Sequence, residues 1–177
     1  MNLKIMAVAA TFAATATGAN ANILYDIYGG LTVGGGAATQ FADKHTHTDV
    51  AQSYGAVFGV DVPVIRIEAE YNFLNDDAAR THLGLINAYA KMPSTVVHPY
   101  IGVGVGGVLG GRADGGIDVR HTAAYQGMLG LTFDVPVLPL KVDAEARALY
   151  VPDLYTVANV KPDLLHYDLR LKLRYIF

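Results

Sequence analysis

Serine with a histidine base is one arrangement for nucleophilic catalysis that this sequence offers, whereas a cysteine nucleophile is excluded because cysteine is absent. The only two serines are Ser53 and Ser94. A serine nucleophile needs a histidine base and an orienting acid within hydrogen-bonding reach. His82 and His121 are the candidate partners of Ser53, whereas Ser94 follows Pro93 in a predicted turn. The sequence therefore allows an acyl-transfer site at Ser53, but no local motif specifies one.

Two histidines in one segment are candidate metal ligands. His45 and His47 are two positions apart, so an extended backbone would place both rings on one side. A zinc site needs a defined ligand set, and this spacing fixes no third or fourth ligand. The acidic segments 75–77 and 113–118 offer oxygen atoms but do not match a calcium-binding loop. We therefore expect solvated loops here, and we predict no metal and no cofactor.

A glycine-rich stretch formally matches a phosphate-binding motif. Gly102, Gly104 and Gly107 have the G-x-G-x-x-G spacing of dinucleotide-binding proteins. That motif requires a helix that begins at the glycines, but here they alternate with Ile and Val and continue into GGRADGG. We interpret Gly102, Gly104 and Gly106 as one face of a strand. Their missing side chains would make room for long arginine and lysine side chains from other strands.

Charged residues occupy every second position in three segments. The final segment reads LLHYDLRLKLRYIF, and the other two follow copies of the tetrapeptide DVPV at 61–64 and 134–137. A period of two is typical of half-buried strands. On the first, third, seventh and eighth predicted strands the polar face carries six cations and six anions, a balance that indicates an enclosed lumen because an unpaired buried charge is costly. These residues are Arg66, Lys141, Arg147, Arg170, Lys172, Arg174, Asp26, Glu68, Glu70, Asp143, Glu145 and Asp168.

The alternation predicts eight strands in all. The segments between them differ in character: those after even-numbered strands are short and carry proline, and those after odd-numbered strands are polar or glycine-rich. Two classes of connection on alternate ends indicate an up-and-down meander, as in membrane barrels with short turns on one side. The predicted strands span residues 25–35, 53–60, 65–73, 81–91, 100–108, 121–133, 140–148 and 164–177.

The N-terminal segment has the pattern of a secretory signal peptide. Lys4 precedes an uncharged stretch that ends in the small residues Ala19 and Ala21, so we predict cleavage after Ala21. Residues 22–177 then form one domain. The formal net charge of −3 is not the basic balance that favours a nucleic-acid partner.

Aromatic residues on the apolar face indicate that this face meets lipid. Tyr167 and Phe177 are ten positions apart on the last predicted strand. At a tilt near 40° this corresponds to roughly 25 Å along the barrel axis, the height of the apolar band of membrane barrels. We predict one aromatic girdle at Tyr167 and Tyr71, and a second at Tyr175, Phe177 and Tyr25.

Several segments resemble those of the small eight-stranded outer-membrane β-barrel family, the opacity-type, OmpA/OmpX-like group of Gram-negative bacteria. They are HLGLINAYAKM, HPYIGVGVGGVLGG, IRIEAEYNF and the closing LRLKLRYIF, and the resemblance covers essentially all of residues 22–177. It implies an all-β, eight-stranded antiparallel transmembrane barrel. The final strand is similar to the signal read by the barrel-insertion machinery, and the matching residues are Leu169, Leu171, Leu173, Tyr175 and Phe177.

The resemblance also implies a location and partners. The location is the outer membrane of a Gram-negative bacterium, and the partners are its lipid and lipopolysaccharide, the insertion machinery, periplasmic chaperones, and host or cell-surface ligands. Eight strands leave an interior that side chains fill, so we expect loops rather than a pore to carry function, with adhesion as the implied role. The loop contact candidates are Phe41, His45, His47, Leu154 and Tyr155.

Two alternatives remain open at this point. One is a lipid-A-modifying enzyme such as a deacylase, although the His-x-Ser spacing of such enzymes is absent. The other is a narrow pore.

The repeated DVPV has a simple interpretation in such a barrel. The third and seventh of eight strands lie on opposite walls, and each would begin after one copy of the turn. Counted from the aspartate, Glu68 and Glu70 fall at the same positions as Lys141 and Asp143. We therefore expect charges of these two strands to neutralise one another across the lumen.

Overall fold

In a computed structural model the chain forms a closed antiparallel barrel in which each strand pairs with the next and the last pairs with the first. The structure describes residues 25–42, 45–76, 79–93, 97–113, 121–153 and 163–177, so the predicted signal peptide lies outside the described residues. Among the described residues, no helix is long and apolar enough to cross a bilayer. The strands are β1 (Asp26–Ala42), β2 (His45–Asp61), β3 (Ile65–Asp76), β4 (Ala79–Lys91), β5 (Val97–Ala113), β6 (Ala123–Asp134), β7 (Leu140–Val151) and β8 (Asp163–Ile176).

The predicted eight-stranded barrel is confirmed, but the strands extend further than predicted at one end. We call this the loop end, and the opposite end, where residues 25 and 177 lie, the terminal end. The segment 36–49, predicted to be a loop, is largely a continuation of the β1–β2 hairpin, with Phe41 opposite Thr46. An antiparallel pair satisfies its own backbone hydrogen bonds, so the ladder continues where the alternation of apolar and polar residues has stopped.

The two faces of the barrel have opposite polarity. Side chains of the outer face are apolar and exposed, as at Leu31 (68% exposed), Val103 (66%) and Leu169 (72%). Side chains of the inner face are buried and mostly polar in the half near the terminal end, as at Arg66 and Arg174 (both 0%). The predicted phases of the strands are therefore confirmed. An apolar surface that surrounds the whole barrel matches the exterior of a membrane barrel.

Aromatic side chains mark both edges of this apolar exterior. Each of them faces outward and is between about two-fifths and two-thirds exposed, which places all five predicted girdle residues on the outer face. The rings of Tyr175 and Phe177 make an edge contact, with centroids 5.5 Å apart. Toward the loop end lie Tyr71, Tyr125, Tyr150 and Tyr167, and toward the terminal end lie Tyr25, Phe133, Tyr175 and Phe177.

The two DVPV copies both begin turns at the terminal end, but the turns differ. In the first, residues 62–64 connect β2 to β3, and the Val62 N–H donates to the Ile65 carbonyl at 2.9 Å. In the second, residues 135–139 connect β6 to β7, and Val137 has a positive φ of 69°. The carboxylate of Asp61 is buried and lies within ion-pair distance of three cations, whereas that of Asp134 is exposed. The two copies are therefore equivalent in position but not in structure.

We predict that an arginine in the middle of the exterior destabilises the barrel strongly. Leu171 is 58% exposed on the outer face of β8, so Leu171→Arg would place a charge in hydrocarbon. The free energy of unfolding should fall by about 2–4 kcal/mol. Leu138→Arg, in the β6–β7 turn, is the matched control and should cost about 0–1 kcal/mol. Urea unfolding in phospholipid vesicles measures both, and equal small losses would contradict a lipid-facing exterior.

Candidate functional site

The centre of the lumen is organised around the buried carboxylate of Glu70 on β3. It accepts hydrogen bonds from Arg170 of β8 (2.5 Å), Asn87 of β4 (2.7 Å) and Gln126 of β6 (3.1 Å). The guanidinium of Arg147 on β7 lies 3.8 Å away. One carboxylate thus joins five strands, and no side of it is left without a donor or a cation.

Two further carboxylates, those of Glu145 and Glu68, extend this layer. Glu145 accepts hydrogen bonds from Arg170 and from the hydroxyl of Tyr100 (2.9 Å). Glu68 accepts from Lys172 (2.7 Å) and from the hydroxyl of Tyr89 (2.9 Å). A hydrogen-bonded carboxylate between cations avoids the penalty of an unpaired buried charge. Tyrosines supply neutral donors where a further cation would not fit.

Toward the terminal end the network closes on Asp143. Its carboxylate accepts two hydrogen bonds from Arg174 (both 2.8 Å), one from Arg66 (3.2 Å) and one from Thr132 (2.6 Å). The guanidinium of Arg66 also stacks on the ring of Tyr89, 3.9 Å from its centroid. Stacking on an aromatic ring is favourable for a guanidinium in a dry site.

Toward the loop end the network ends at Asp168 of β8. Arg147 donates two hydrogen bonds to it (2.9 and 2.6 Å), and Ser53 of β2 donates a third (2.7 Å). The ring of His166 approaches the same carboxylate, with Nε2 3.2 Å from Oδ2. All four side chains are buried.

Beyond Asp168 the lumen changes from polar to apolar. A continuous cluster of buried apolar side chains fills its loop-end half, and we call this cluster the apolar plug. The sequence did not reveal it, because its leucines resemble those of the lipid-facing side. Its members are Ala38, Ala51, Leu74, Leu83, Leu85, Val108, Ala124, Leu149, Val151 and Leu164.

Strands β3 and β7 do make ion pairs across the lumen. The pairs are Arg66 with Asp143 and Arg147 with Glu70. Glu68 and Lys141 lie at equivalent positions after the two DVPV turns, but they do not form an ion pair with each other. Glu68 instead contacts β8.

Two of the twelve predicted lumen residues lie at the rim rather than inside. Lys141 is at the terminal mouth, 3.3 Å from Asp26 and 3.9 Å from Asp61. The side chain of Asp26 is 45% exposed. The other ten are buried in the lumen. The predicted set of lumen residues omits the rim pair Asp61–Lys91 and several uncharged partners of the network, although all of them lie in the inward phase of their strands. The uncharged partners are Tyr28, Tyr89, Tyr100, Asn87, Gln126 and Thr132.

The lumen glycines make room for neighbours, but not for those we predicted. A Cβ on Gly104 would lie 2.1 Å from Oδ1 of Asn87, and one on Gly102 would lie 2.4 Å from the ring of Tyr89. These glycines therefore accommodate an amide and an aromatic ring rather than cations. A glycine on β1 does accommodate a cation, because a Cβ on Gly34 would lie 2.7 Å from Cγ of Arg170.

Glycine on the inner face of β1 allows side chains of its two neighbours, β2 and β8, to contact each other inside the lumen. The Ser53–Asp168 hydrogen bond links β2 to β8 past Gly34, where a Cβ would lie 2.6 Å from the serine oxygen. At the terminal end Arg174 of β8 likewise reaches Asp61 of β2, at 3.1 Å. The pair β1–β8, where the barrel closes, is thus bridged at two heights.

The residues considered for serine catalysis are not brought together. Ser53 lies inside the lumen, whereas His82 lies on the outer face, with Nδ1 2.6 Å from the hydroxyl of Tyr71. The ring of His121 is engaged with the backbone carbonyl of Val108 at 3.0 Å. Neither candidate partner of Ser53, His82 or His121, is therefore joined to it. Ser94 lies outside the described residues.

The neighbours of Ser53 do not form a catalytic triad in another way. Ser53 and His166 both approach the same oxygen of Asp168, so the carboxylate lies between them. A triad requires the histidine between the serine and the acid.

The loop contact candidates are placed only in part. Phe41, His45 and His47 belong to the β1–β2 hairpin, not to an irregular loop as predicted. Leu154 and Tyr155 lie outside the described residues. Within the described ranges, no group of three or more histidine, aspartate or glutamate side chains is arranged to hold a metal ion.

Solved structures provide the comparison, because no protein-family model and no curated protein matches the chain. Neisserial surface protein A aligns over 85% of this chain and 97% of its own, with a TM-score of 0.65 and 17% identity. This chain has the fold of a small outer-membrane barrel. The N-terminal barrel domain of OprF from Pseudomonas aeruginosa aligns over 84% of this chain and 97% of its own, with a TM-score of 0.52 and 12% identity.

An enzyme is also among the similar structures. The outer membrane enzyme PagL aligns over 80% of this chain and 97% of its own, with a TM-score of 0.47 and 13% identity. At these identities the comparisons establish the fold and leave the function to the residues of this chain.

We predict that removing the charge of Glu70 destabilises the barrel. Glu70→Gln leaves Arg170 and Arg147 buried with one anion fewer, so the free energy of unfolding should fall by about 3–5 kcal/mol. Asp134→Asn is the control, since that aspartate is exposed beside His98, and it should cost under about 1 kcal/mol. Urea titrations in detergent micelles compare the two. A loss at Glu70 no larger than at Asp134 would contradict the role assigned to the network.

Two glycines give a matched test of lumen packing. Gly104→Ala should cost about 1–3 kcal/mol, because its methyl group would overlap Asn87. Gly127→Ala should cost almost nothing, because a Cβ there has no atom within 4 Å. Thermal unfolding in micelles measures the difference, and equal effects would show that the lumen can expand at that depth.

Proposed function

We propose that this protein is a closed outer-membrane barrel of a Gram-negative bacterium that makes surface contacts through its loop end. One observation carries the proposal. A lumen filled by a charge network and an apolar plug lies within an exterior that is apolar all round. Such a molecule is built as a membrane-embedded scaffold rather than as a channel.

Closure of the lumen argues against the narrow pore. A solute that enters from the terminal end meets Asp61, Arg174 and Asp143, which are already joined to one another. Past Asp168 it meets the apolar plug, where His166, Thr81 and Asn72 are buried polar side chains at that depth and the plug residues themselves cannot replace its hydration. Passage would require the breaking of buried ion pairs and the displacement of packed leucines.

A rigid barrel of this kind suits a role in surface contact. The β1–β2 hairpin keeps its backbone ladder up to the pair Ala42–His45, so Phe41, His45 and His47 lie at defined register positions. Binding residues often lie on loops that a rigid scaffold positions. The contact candidates Phe41, His45, His47, Leu154 and Tyr155 belong to this hairpin and to the β7–β8 connection. Their proposed partners are host or cell-surface ligands.

The same proposal covers export and insertion. Residues 1–21 would direct export and be removed after Ala21, with periplasmic chaperones carrying the unfolded chain. The residues proposed as the insertion signal all face outward on the last strand, where machinery could contact them before the barrel closes. These are Leu169, Leu171, Leu173, Tyr175 and Phe177.

We propose a non-enzymatic role, and the geometry of Ser53 supports it. Its hydroxyl is fully buried and donates to Asp168, so it has neither access to a substrate nor a hydrogen bond to a histidine base. The lipid-A deacylase alternative would need another nucleophile.

Replacement of the loop-end connections tests this function. We expect wild-type protein expressed in a Gram-negative host to fractionate with the outer membrane, to change gel mobility on boiling, and to increase binding to epithelial cells. Replacement of residues 41–47 and 154–161 by glycine–serine linkers should abolish that gain without altering the mobility shift. Ser53→Ala should retain the gain.

Two results would contradict the proposal. Recovery in the soluble periplasm with no mobility shift would exclude the membrane barrel. A change in lipid A acyl number on expression that Ser53→Ala removes, seen by mass spectrometry, would establish an enzyme.

A further inference from the structure

Two arginines lie directly opposite each other near the loop end of the β4–β5 pair. They are Arg80 and Arg112, which are register partners and are both exposed. Like charges at directly opposed positions destabilise a sheet. Within the described part of the chain, neither guanidinium has a carboxylate within ion-pair distance, in contrast to the lumen arginines. Among the described residues, the pair therefore has no carboxylate partner of the kind that each lumen arginine has.

A β-bulge creates this pair. Leu83 is opposite Val108, but His82 is opposite Gly110, so Leu109 is an extra residue in β5. Without the extra residue, position 112 would continue the inward phase of Val108. With it, Arg112 lies on the same outer face as Arg80, since the intervening partner Thr81 is buried inside. Bulges commonly redirect a side chain in this way.

The surroundings of the pair combine polar and aromatic groups at the edge of the apolar exterior. His82 lies between the inward-facing Thr81 and Leu83, so it faces outward, and its ring packs in a tilted arrangement against Phe73 with centroids 4.9 Å apart. The hydroxyl of Tyr71 lies 2.6 Å from Nδ1 of His82. Arg80 is two residues beyond His82, which places it roughly 5 Å further along the barrel axis. The arginines are thus just above the aromatic girdle, where lipid headgroups begin.

We infer that Arg80 and Arg112 bind a phosphate group of lipopolysaccharide, in its lipid A headgroup. The inference rests on the proposed outer-membrane location, with the loop end outside. Each guanidinium can make two parallel hydrogen bonds to phosphate oxygens, and one dianion would relieve the repulsion between the two cations.

The position of the pair favours a lipid over a soluble anion. It lies on the wall of the barrel, with the exposed apolar side chains of Leu109 and then Ile86 (58% and 56% exposed) further along the same wall toward the terminal end. A lipid whose phosphate contacts the arginines can lay its acyl chains along this surface. A soluble sulfated glycan has no acyl chains and would make no apolar contacts with these side chains.

Binding of defined lipids by the purified barrel tests this site. The probes are bis-phosphorylated lipid A and the same lipid A with its phosphates removed, measured by native mass spectrometry of the full chain refolded in micelles. We expect wild type to prefer the phosphorylated form by about tenfold or more. The double variant Arg80→Gln/Arg112→Gln should lose that preference. Arg80→Lys/Arg112→Lys, which keeps the charge but not the fork, should retain part of it.

A charge control and a folding control accompany the measurement. Lys141→Gln removes one cation at the terminal end and should leave the preference unchanged. The mobility shift on boiling verifies that each variant is folded.

Two results would overturn the inference. They are equal binding of the two lipids by folded wild type, and an undiminished preference in the glutamine double variant. Each would refute the phosphate site while leaving the proposed membrane barrel intact, because the mobility shift reports the barrel separately.

Discussion

The structure depends on one constraint, which is that a charge removed from water inside the barrel must have a partner within hydrogen-bonding distance. An eight-stranded barrel has a lumen about as wide as the side chains that fill it. Glu70 and Asp143 therefore take their partners from the opposite wall rather than from solvent. Tyrosines and small residues on the remaining strands follow from the same requirement, because they supply donors and the space in which long cations lie.

A second solvent acts on the other side of every strand. Because the exterior meets hydrocarbon, each strand alternates between residues that suit lipid and residues that suit the lumen. The alternation ends where lipid ends, yet the β1–β2 ladder continues to Ala42 and His45. The backbone ladder of β1 and β2 thus extends further along the chain than the alternation of apolar and polar side chains. At the loop end the strands are held by backbone pairing without that alternation.

Much of the fold could be predicted from the sequence, because the period of two fixes which face each side chain takes. Ser53 inside and Tyr54 outside follow from it directly. Individual contacts do not follow, since the stagger of the strands decides that Glu68 meets Lys172 rather than Lys141. The apolar plug also escaped prediction. Leu83 inside and Ile86 outside are chemically alike, so the pattern alone cannot assign them to core or lipid.

The bridges across β1 have a consequence for how the barrel opens. In a closed barrel the contact between the first and last strands is the natural place for a seam. Here β8 is bonded to β2 as well, through Asp168 to Ser53 and through Arg174 to Asp61. Strands β2, β1 and β8 therefore form one linked unit, with β1 paired to both neighbours and the neighbours bonded to each other. Separation at the seam must break the side-chain bonds of β2 together with the backbone ladder, so the barrel opens as a single cooperative unit and not by the peeling away of one edge strand.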